Sequence, residues 1–262
     1  MTTTERPSGF VQSLERGLAV IRAFSAEHHR LTVTEVARTT GLTRAAAWRF
    51  LTTLEALGYV STDGRYFQLR PKVLDLGYAF LSSFSLPEIA QSNLELLAEE
   101  LHEPCSATVL DGSDVVFVAR ATTRRIMVMS LGVGRRLPAH ASSMGRVLLA
   151  HLQESRLDEY LTNAPFERLT SRTLIGEGEL REVLAQVRAQ GWAETDQELE
   201  EGLRTIAVPV WRDGRVVAAV AVGVQSSRVK RSEFMSQYLP KLQITAEQIT
   251  NDLARLPSGS VP

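Results

Sequence analysis

LTVTEVARTTGLTRAAAWRFLTTLEALGYVSTDGRYFQL (residues 31–69) decides the fold of the N-terminal part of the chain. LTVTEVARTTGL predicts a short helix with Thr32 or Thr34 at its start, Val36 and Ala37 inward and a turn at Gly41. A tight turn then leads into a longer helix. Thr43 caps it, while Ala47, Phe50, Leu51, Leu54 and Leu57 form a buried stripe. The helix stops at Gly58, and YVSTDGRYFQL alternates around Asp63 and Gly64, a strong hairpin signal. Helix, tight turn, longer helix and hairpin predict a winged helix-turn-helix.

In that motif the second helix of the pair enters a major groove about 12 Å wide. The side opposite the stripe carries Arg44, Ala45, Ala46, Trp48 and Arg49. Small residues at Ala45 and Ala46 allow close approach to base edges and thymine methyls. Arg44 and Arg49 reach guanine or phosphate, Thr43 reaches a phosphate oxygen, and Arg65 sits on the wing. Trp48 suits core packing as well as a DNA contact, and a solvated face on a protein-binding module gives the same pattern.

Upstream, SLERGLAVIRAF (13–24) predicts another helix, with Ser13 as N-cap and Leu14, Leu18, Val20, Ile21 and Phe24 on one apolar face. Downstream, PKVLDLGYAFLSSF (71–84) begins with a helix-compatible proline and is apolar around much of its circumference. The full chain has a formal net charge of -1. Residues 1–84 nevertheless carry ten Lys and Arg against seven Asp and Glu, which places the positive excess at the helix-turn-helix end.

From residue 86 helices and strands alternate. Residues 88–102 and 177–190 read as helices, and 147–161 as a single helix. Two strands surround Asp111 and Gly112 with a third following to residue 131. Two buried strands turn at Asp213 and Gly214, and a helix over 231–254 closes the chain. The order predicts an antiparallel sheet flanked by helices, an α+β domain. In LPAHASSMGRVLLA (137–150), Ser142 and Ser143 stand where a loop enters a helix. Free backbone N–H groups there favour an anion such as a carboxylate, although a simple serine cap fits equally well.

Enzyme chemistry is not expected. His140 lies near Ser142 and Ser143, but residues two or three apart at a helix start rarely act on one another. The chain has no GxSxG elbow, Walker loop, GxGxxG after a strand or HExxH. The five histidines are scattered and Cys105 is the sole cysteine, so neither a metal site, a disulfide nor a cofactor is expected. No apolar run is long enough to span a bilayer and the N-terminus lacks a signal-peptide pattern, which predicts a cytoplasmic protein.

The motifs SLERGLAVIRAF, LTVTEVARTTGLTRAAAWRFLTTLEALGYV, RLPAHASSMGRVLLA and ELEEGLRTIAVPV together resemble the IclR family of transcription regulators over nearly the whole chain. RAAAWRFLTTL, LGYAFLSS, EIAQ and RRIM are most similar to the branch of PcaR, PcaU and PobR, which governs aromatic-acid breakdown through the beta-ketoadipate pathway. The resemblance implies three parts: a DNA-binding winged helix-turn-helix over 11–70, a linker helix over 71–85 that pairs two copies, and a GAF-like effector-binding domain over 86–256. It implies operator DNA and a small carboxylate effector as partners, a homodimer or dimer of dimers, and contact with RNA polymerase.

The family pocket maps onto the backbone amides of Ser143 and Met144, with Ser142 beside them. Met129 and Leu137 form its apolar wall, and Asp196, Leu203 and Thr205 face them. Arg135, Arg136 and Arg204 are candidate charge partners. Ala221 and Gly223 stand where relatives that bind small keto acids resemble one another in bearing hydroxyls. Their loss implies a larger, less polar site, suited to protocatechuate, 4-hydroxybenzoate or beta-ketoadipate. Regulators of the same fold that answer glyoxylate or pyruvate, and a dimeric scaffold that binds no DNA, are the alternatives.

Overall fold

The computed structural model describes residues 7–25, 28–78, 86–122 and 132–255. The chain divides into two compact units, Met1–Ser82 and Ser83–Pro262.

In the first unit, α1 (Gln12–Arg22), α2 (Val33–Thr40) and α3 (Arg44–Ala56) pack around Val20, Phe24, Val36, Ala37, Ala47, Leu51 and Leu54. Two short strands, β1 (Val60–Thr62) and β2 (Phe67–Leu69), form the hairpin. Of the two threonines offered as caps for α2, Thr32 does the work. It accepts from the Glu35 amide while Glu35 bonds back to the Thr32 amide, a reciprocal capping box. Gly41 ends α2 in the left-handed region at φ 66°. Thr43 then caps α3 through the Ala46 amide at 3.2 Å.

Three details differ from the expectation. Val11, not Ser13, holds the N-cap of α1, and it offers no side-chain bond. Leu14 and Leu18 are 62% and 47% exposed because the first turns of α1 run past the core, which begins to cover the helix only near Gly17. Leu57 is exposed rather than buried, since it follows the last turn of α3. Beyond β2, Pro71–Leu74 is a 3-10 turn. Phe80 and Leu81 of the expected linker helix lie outside the described residues.

The second unit is a six-stranded antiparallel sheet between two helical layers. Its elements are α4 (Leu86–Leu101), β3 (Cys105–Asp111), β4 (Asp114–Ala121), β5 (Arg136–Pro138), α5 (Ser143–Ala150), α6 (Glu154–Asn163), α7 (Glu177–Gln190), β6 (Ala193–Asp196), β7 (Leu203–Arg212), β8 (Arg215–Gln225) and α8 (Leu239–Ala254). Strand order is β5-β4-β3-β8-β7-β6. Both faces are covered, which is why β7 and β8 read as near-continuous apolar runs. In β8 the residues Ala218, Val220, Val222 and Val224 meet α4 and α8, whereas Ala219 and Ala221 meet α5 and its neighbours.

The Asp213–Gly214 turn has φ 49° and 74°, the twist that joins β7 to β8. The expected single helix over 147–161 is broken. The His151 ring bonds to the Val147 carbonyl at 2.8 Å, the acceptor its own amide would need to continue α5. The closing segment contains a π turn, Phe234–Tyr238, before α8, and β6 is an edge strand the sequence reading did not anticipate. The third strand expected before residue 131 falls largely on residues that are not described. Among the described residues no helix is long and apolar enough to cross a membrane.

One glycine fixes the entry to α5. A Cβ on Gly145 would stand 2.1 Å from the Ala139 carbonyl oxygen and 2.3 Å from its Cα, so the 139–142 loop packs directly on the first helical turn. Gly145→Ala is therefore expected to cost about 3 kcal/mol or more. Denaturant unfolding measures this, and wild-type stability in the variant would contradict the close approach.

Candidate effector cavity and DNA-reading face

At the N-terminus of α5, Ser142 has extended backbone and its Oγ accepts from the Gly145 amide at 3.1 Å. The amides of Ser143 and Met144 find no acceptor among the described residues, as the geometry of a first helical turn requires. The Ser143 hydroxyl bonds to Thr205 Oγ1 at 2.7 Å, and Thr205 Oγ1 bonds to Thr195 Oγ1 at 2.8 Å. This hydroxyl chain ties α5 to β7 and β6.

Beside it lies a cavity of about 280 Å³. Phe117, Leu137, Met144, Leu199 and Leu203 supply its apolar wall, and Ser106, Arg120 and Thr205 its interior polar groups. Among the residues expected from the sequence, Leu137, Met144, Leu203, Thr205, Ala221 and Gly223 line it together. Ser142 and Ser143 are buried immediately behind that lining. Met129 lies outside the described residues.

Asp196 does not line this cavity. It pairs with Arg204 and Arg172, each at 3.1 Å, and borders a separate depression with Arg146 and Glu198. The reason is strand alternation: Thr195 points inward to Thr205, so the next residue faces the other way. Arg204 is thereby occupied, and Arg136 is held by Asp111 at 2.6 Å and Asp114 at 3.0 Å, on the surface. Neither serves the cavity. A Cβ on Gly223 would meet Thr205 Cγ2 at 3.5 Å, an ordinary contact, so the position has room for a side chain.

Sequence reasoning missed Glu103, Ser106, Phe117, Arg120 and Arg228, all of which line the cavity. One signal was present: Arg120 is a cation set within VVFVARA (115–121), an otherwise apolar strand.

The walls are locked by a buried ion pair. Arg146, 3% exposed, reaches Glu198 with two guanidinium nitrogens, one at 2.8 Å, and donates through Nε to the His140 carbonyl at 3.1 Å. Glu198 also accepts from the Leu174 amide at 3.2 Å. His140 turns its Nε2 to the Glu167 carbonyl at 3.1 Å and its ring edge to Phe166, and burial holds its pKa below the usual histidine value. It is a packed residue rather than a base for the serines. Burial likewise pushes the Cys105 thiol up to about 12, which leaves it unreactive. Among the described residues no cluster of three or more metal-ligating side chains forms.

In the first unit, Arg44, Ala45, Trp48 and Arg49 are exposed on one side of α3, Trp48 by 55%, while Ala46 is half-buried. Arg44 and Arg49 make no ion pair among the described residues. At the wing tip Asp63 Oδ1 accepts from the amides of Arg65 at 3.0 Å and Tyr66 at 2.8 Å. These bonds, Tyr66 first, hold the Asp63 carboxyl below its usual pKa. Arg30, absent from the sequence-based DNA set, pairs with Asp63, and both Arg30 and Arg65 lie about 5 Å from the Tyr66 ring centre, at 5.0 and 5.1 Å. The wing is thus a basic, aromatic tip.

A winged helix-turn-helix followed by a sheet domain with a cavity is the architecture of effector-controlled DNA-binding regulators. The IclR helix-turn-helix domain matches residues 13–64, and the bacterial transcriptional regulator IclR C-terminal domain matches 78–251. The chain belongs to the IclR family, whose members are transcription regulators and not enzymes.

The Pca regulon regulatory protein of Pseudomonas putida is 45% identical over 246 residues, 93% of this chain and 84% of that protein. A transcriptional regulator from Rhodococcus sp. RHA1 is 49% identical with a TM-score of 0.82, covering 93% of this chain and 98% of that one. The inducer-binding domain of PobR from Acinetobacter, a double mutant in complex with 3-hydroxybenzoic acid, is 36% identical. Its TM-score is 0.60, over 63% of this chain and 97% of that one.

Glu198→Ala leaves Arg146 buried and unpaired and is expected to destabilise the protein by about 3–5 kcal/mol. The double change Arg146→Met with Glu198→Leu recovers most of that loss. Denaturant unfolding of the three variants measures both, and a wild-type value for Glu198→Ala would refute the structural role of the pair.

Proposed function

We propose that this chain is a cytoplasmic transcription regulator of aromatic-acid catabolism, switched by an organic acid held in the cavity beside α5. Residues 11–70 read operator DNA, 71–85 join two copies and 86–256 bind the effector. The observation that carries the reading is the pairing of two acceptor-free amides, Ser143 and Met144, with an apolar cavity of about 280 Å³. A carboxylate completes the helix N-terminus and the rest of the molecule fills the apolar space. Ala221 and Gly223 add no hydroxyl to that space, which favours a ring over a two- or three-carbon keto acid. The benzoate-type ligand of the related PobR domain supports the same class.

A dimer is supported by apolar surface in the first unit: Leu14, Leu18, Leu74, Leu76 and Tyr78 are all exposed. Two joined heads gain effective concentration on a two-part operator, with half-sites about 34 Å apart or a multiple of that distance.

A thermal-shift panel of protocatechuate, 4-hydroxybenzoate, beta-ketoadipate, glyoxylate and pyruvate tests the effector class. A true effector at 100 times its dissociation constant stabilises by about 2.7 kcal/mol. Stabilisation by glyoxylate or pyruvate alone would overturn the aromatic-acid reading.

The DNA face is tested by electrophoretic shift across salt and sequence. Arg49→Ala is expected to weaken binding to all duplexes alike and to flatten the log–log salt slope by about 0.9. Arg44→Ala costs on the order of 1–3 kcal/mol and relaxes preference at one base. Wild-type binding by both variants would show that another face reads DNA.

A further inference from the structure

Arg30 stands outside the recognition helix, and the fold carries it to the wing. The residue after it, Leu31, exchanges two backbone hydrogen bonds with Phe67 of β2, at 3.0 and 2.8 Å, so the segment before α2 joins the hairpin. From there the Arg30 side chain reaches the tip. Its Nη2 bonds to Asp63 Oδ2 and its guanidinium lies 5.0 Å from the centre of the Tyr66 ring.

The tip that receives it is held from several directions. Asp63 Oδ1 accepts from the amides of Arg65 and Tyr66, the Asp63 amide donates to the Tyr66 carbonyl at 3.2 Å, and the Thr62 hydroxyl accepts from the Gly64 amide at 3.0 Å. Both carboxylate oxygens of Asp63 are therefore engaged, one by the backbone and one by Arg30. An ion pair whose side chains are 47% and 49% exposed adds little to stability. What it does supply is direction, because it fixes a long side chain that would otherwise sample many rotamers.

A guanidinium offers five donors in a planar fork. Asp63 occupies one nitrogen of Arg30, while Nε and Nη1 have no partner among the described residues. The carboxylate thus holds one corner of the fork and leaves the remaining donors unspent. Arg44 and Arg49 on α3 have no such buttress among the described residues. An untethered arginine meets phosphate on any sequence, whereas a fixed one loses less freedom on binding and can discriminate. A helix fills the major groove, but the minor groove, about 6 Å wide, admits single side chains. Sequence rich in A·T narrows that groove and deepens its negative potential, which attracts arginine.

We propose that Arg30 is a specificity-determining residue that reads the minor groove beside the half-site of α3, selecting A·T-rich sequence there, with Asp63 as its positioning residue. The inference rests on the reading of residues 11–70 as the DNA-reading head.

Competition binding of the full chain tests it, on a duplex that the protein has selected from a random pool and whose flanks beside each half-site are rebuilt as A·T, G·C or hypoxanthine–cytosine pairs. Hypoxanthine shows the acceptors of guanine to the major groove but lacks the N2 amino group in the minor groove. Flanks of A·T and of hypoxanthine–cytosine are therefore expected to bind alike, and about fivefold or more tightly than G·C flanks. Arg30→Ala brings the three within about twofold of one another, and Arg30→Lys restores overall affinity but not the discrimination. Asp63→Asn keeps an acceptor for the two amides and releases Arg30. It is expected to tighten binding to all three duplexes, since a negative charge leaves the DNA face, while narrowing the differences among them. Flanks of G·C bound as tightly as A·T, hypoxanthine–cytosine flanks that behave as G·C, or a preference that survives Arg30→Ala would overturn the role of Arg30. An unchanged preference in Asp63→Asn would overturn that of Asp63. Failure of the chain to bind any duplex would overturn the reading of the head itself, and this inference with it. The three-flank comparison in the wild-type protein stands whatever the folding of the variants.

Discussion

The buried fork between Arg146 and Glu198 holds together the irregular segments of the second unit that surround the start of α5. One side chain on the first turns of α5 reaches a carboxylate in the loop between β6 and β7, and a carbonyl in the loop before α5. The same carboxylate accepts the Leu174 amide from the segment leading to α7. Three irregular segments are thus fixed to one charge pair. Irregular backbone is where a cavity wall is built and where rigidity must come from somewhere other than a ladder of backbone bonds. With both ions almost fully satisfied, desolvation is offset, whereas loss of either partner leaves an uncompensated charge.

Gly145 and the hydroxyl chain act on the same wall at shorter range. The contact of Gly145 with Ala139 brings the loop onto the helix, and Ser143, Thr205 and Thr195 set the distance from that helix to the sheet. The first turn of α5 is therefore presented with its Ser143 and Met144 amides fixed and without acceptors. A pre-organised set of donors binds an anion without the cost of ordering a loop. In the first unit α3 is similarly fixed, by the Thr43 cap at one end and by Lys72 on the Leu57 carbonyl at the other, 2.9 Å away.

Much of this was legible in the sequence, for reasons that differ by element. The helix-turn-helix announced itself because capping threonines, Gly41 and an apolar stripe are all local signals. Hairpins at Asp63, Asp111 and Asp213 were visible because each aspartate is followed by a glycine, and Gly64, Gly112 and Gly214 all take the positive φ that the turn needs. The start of α5 was legible through its serines.

Side-chain direction was harder. Asp196 fell on the wrong face because a strand alternates with every residue, and β6 was not recognised as a strand. Arg120 and Glu103 belong to strands and loops far in sequence from Thr205, so only the sheet order brings them to one cavity. The break after α5 depends on His151 bonding backwards to Val147, a choice that periodicity does not register.

The central claim is that cavity and DNA-reading face belong to one switch, so that occupation of one changes the affinity of the other. Linkage makes this a single measurement: titrate the full-length protein with its strongest ligand from the aromatic-acid panel, with and without a duplex that the protein itself has selected from a random pool. The account predicts that the two ligand dissociation constants differ by about 5- to 150-fold, and that DNA affinity changes by the same factor when the ligand is present. Identical ligand affinity in the two titrations would contradict it.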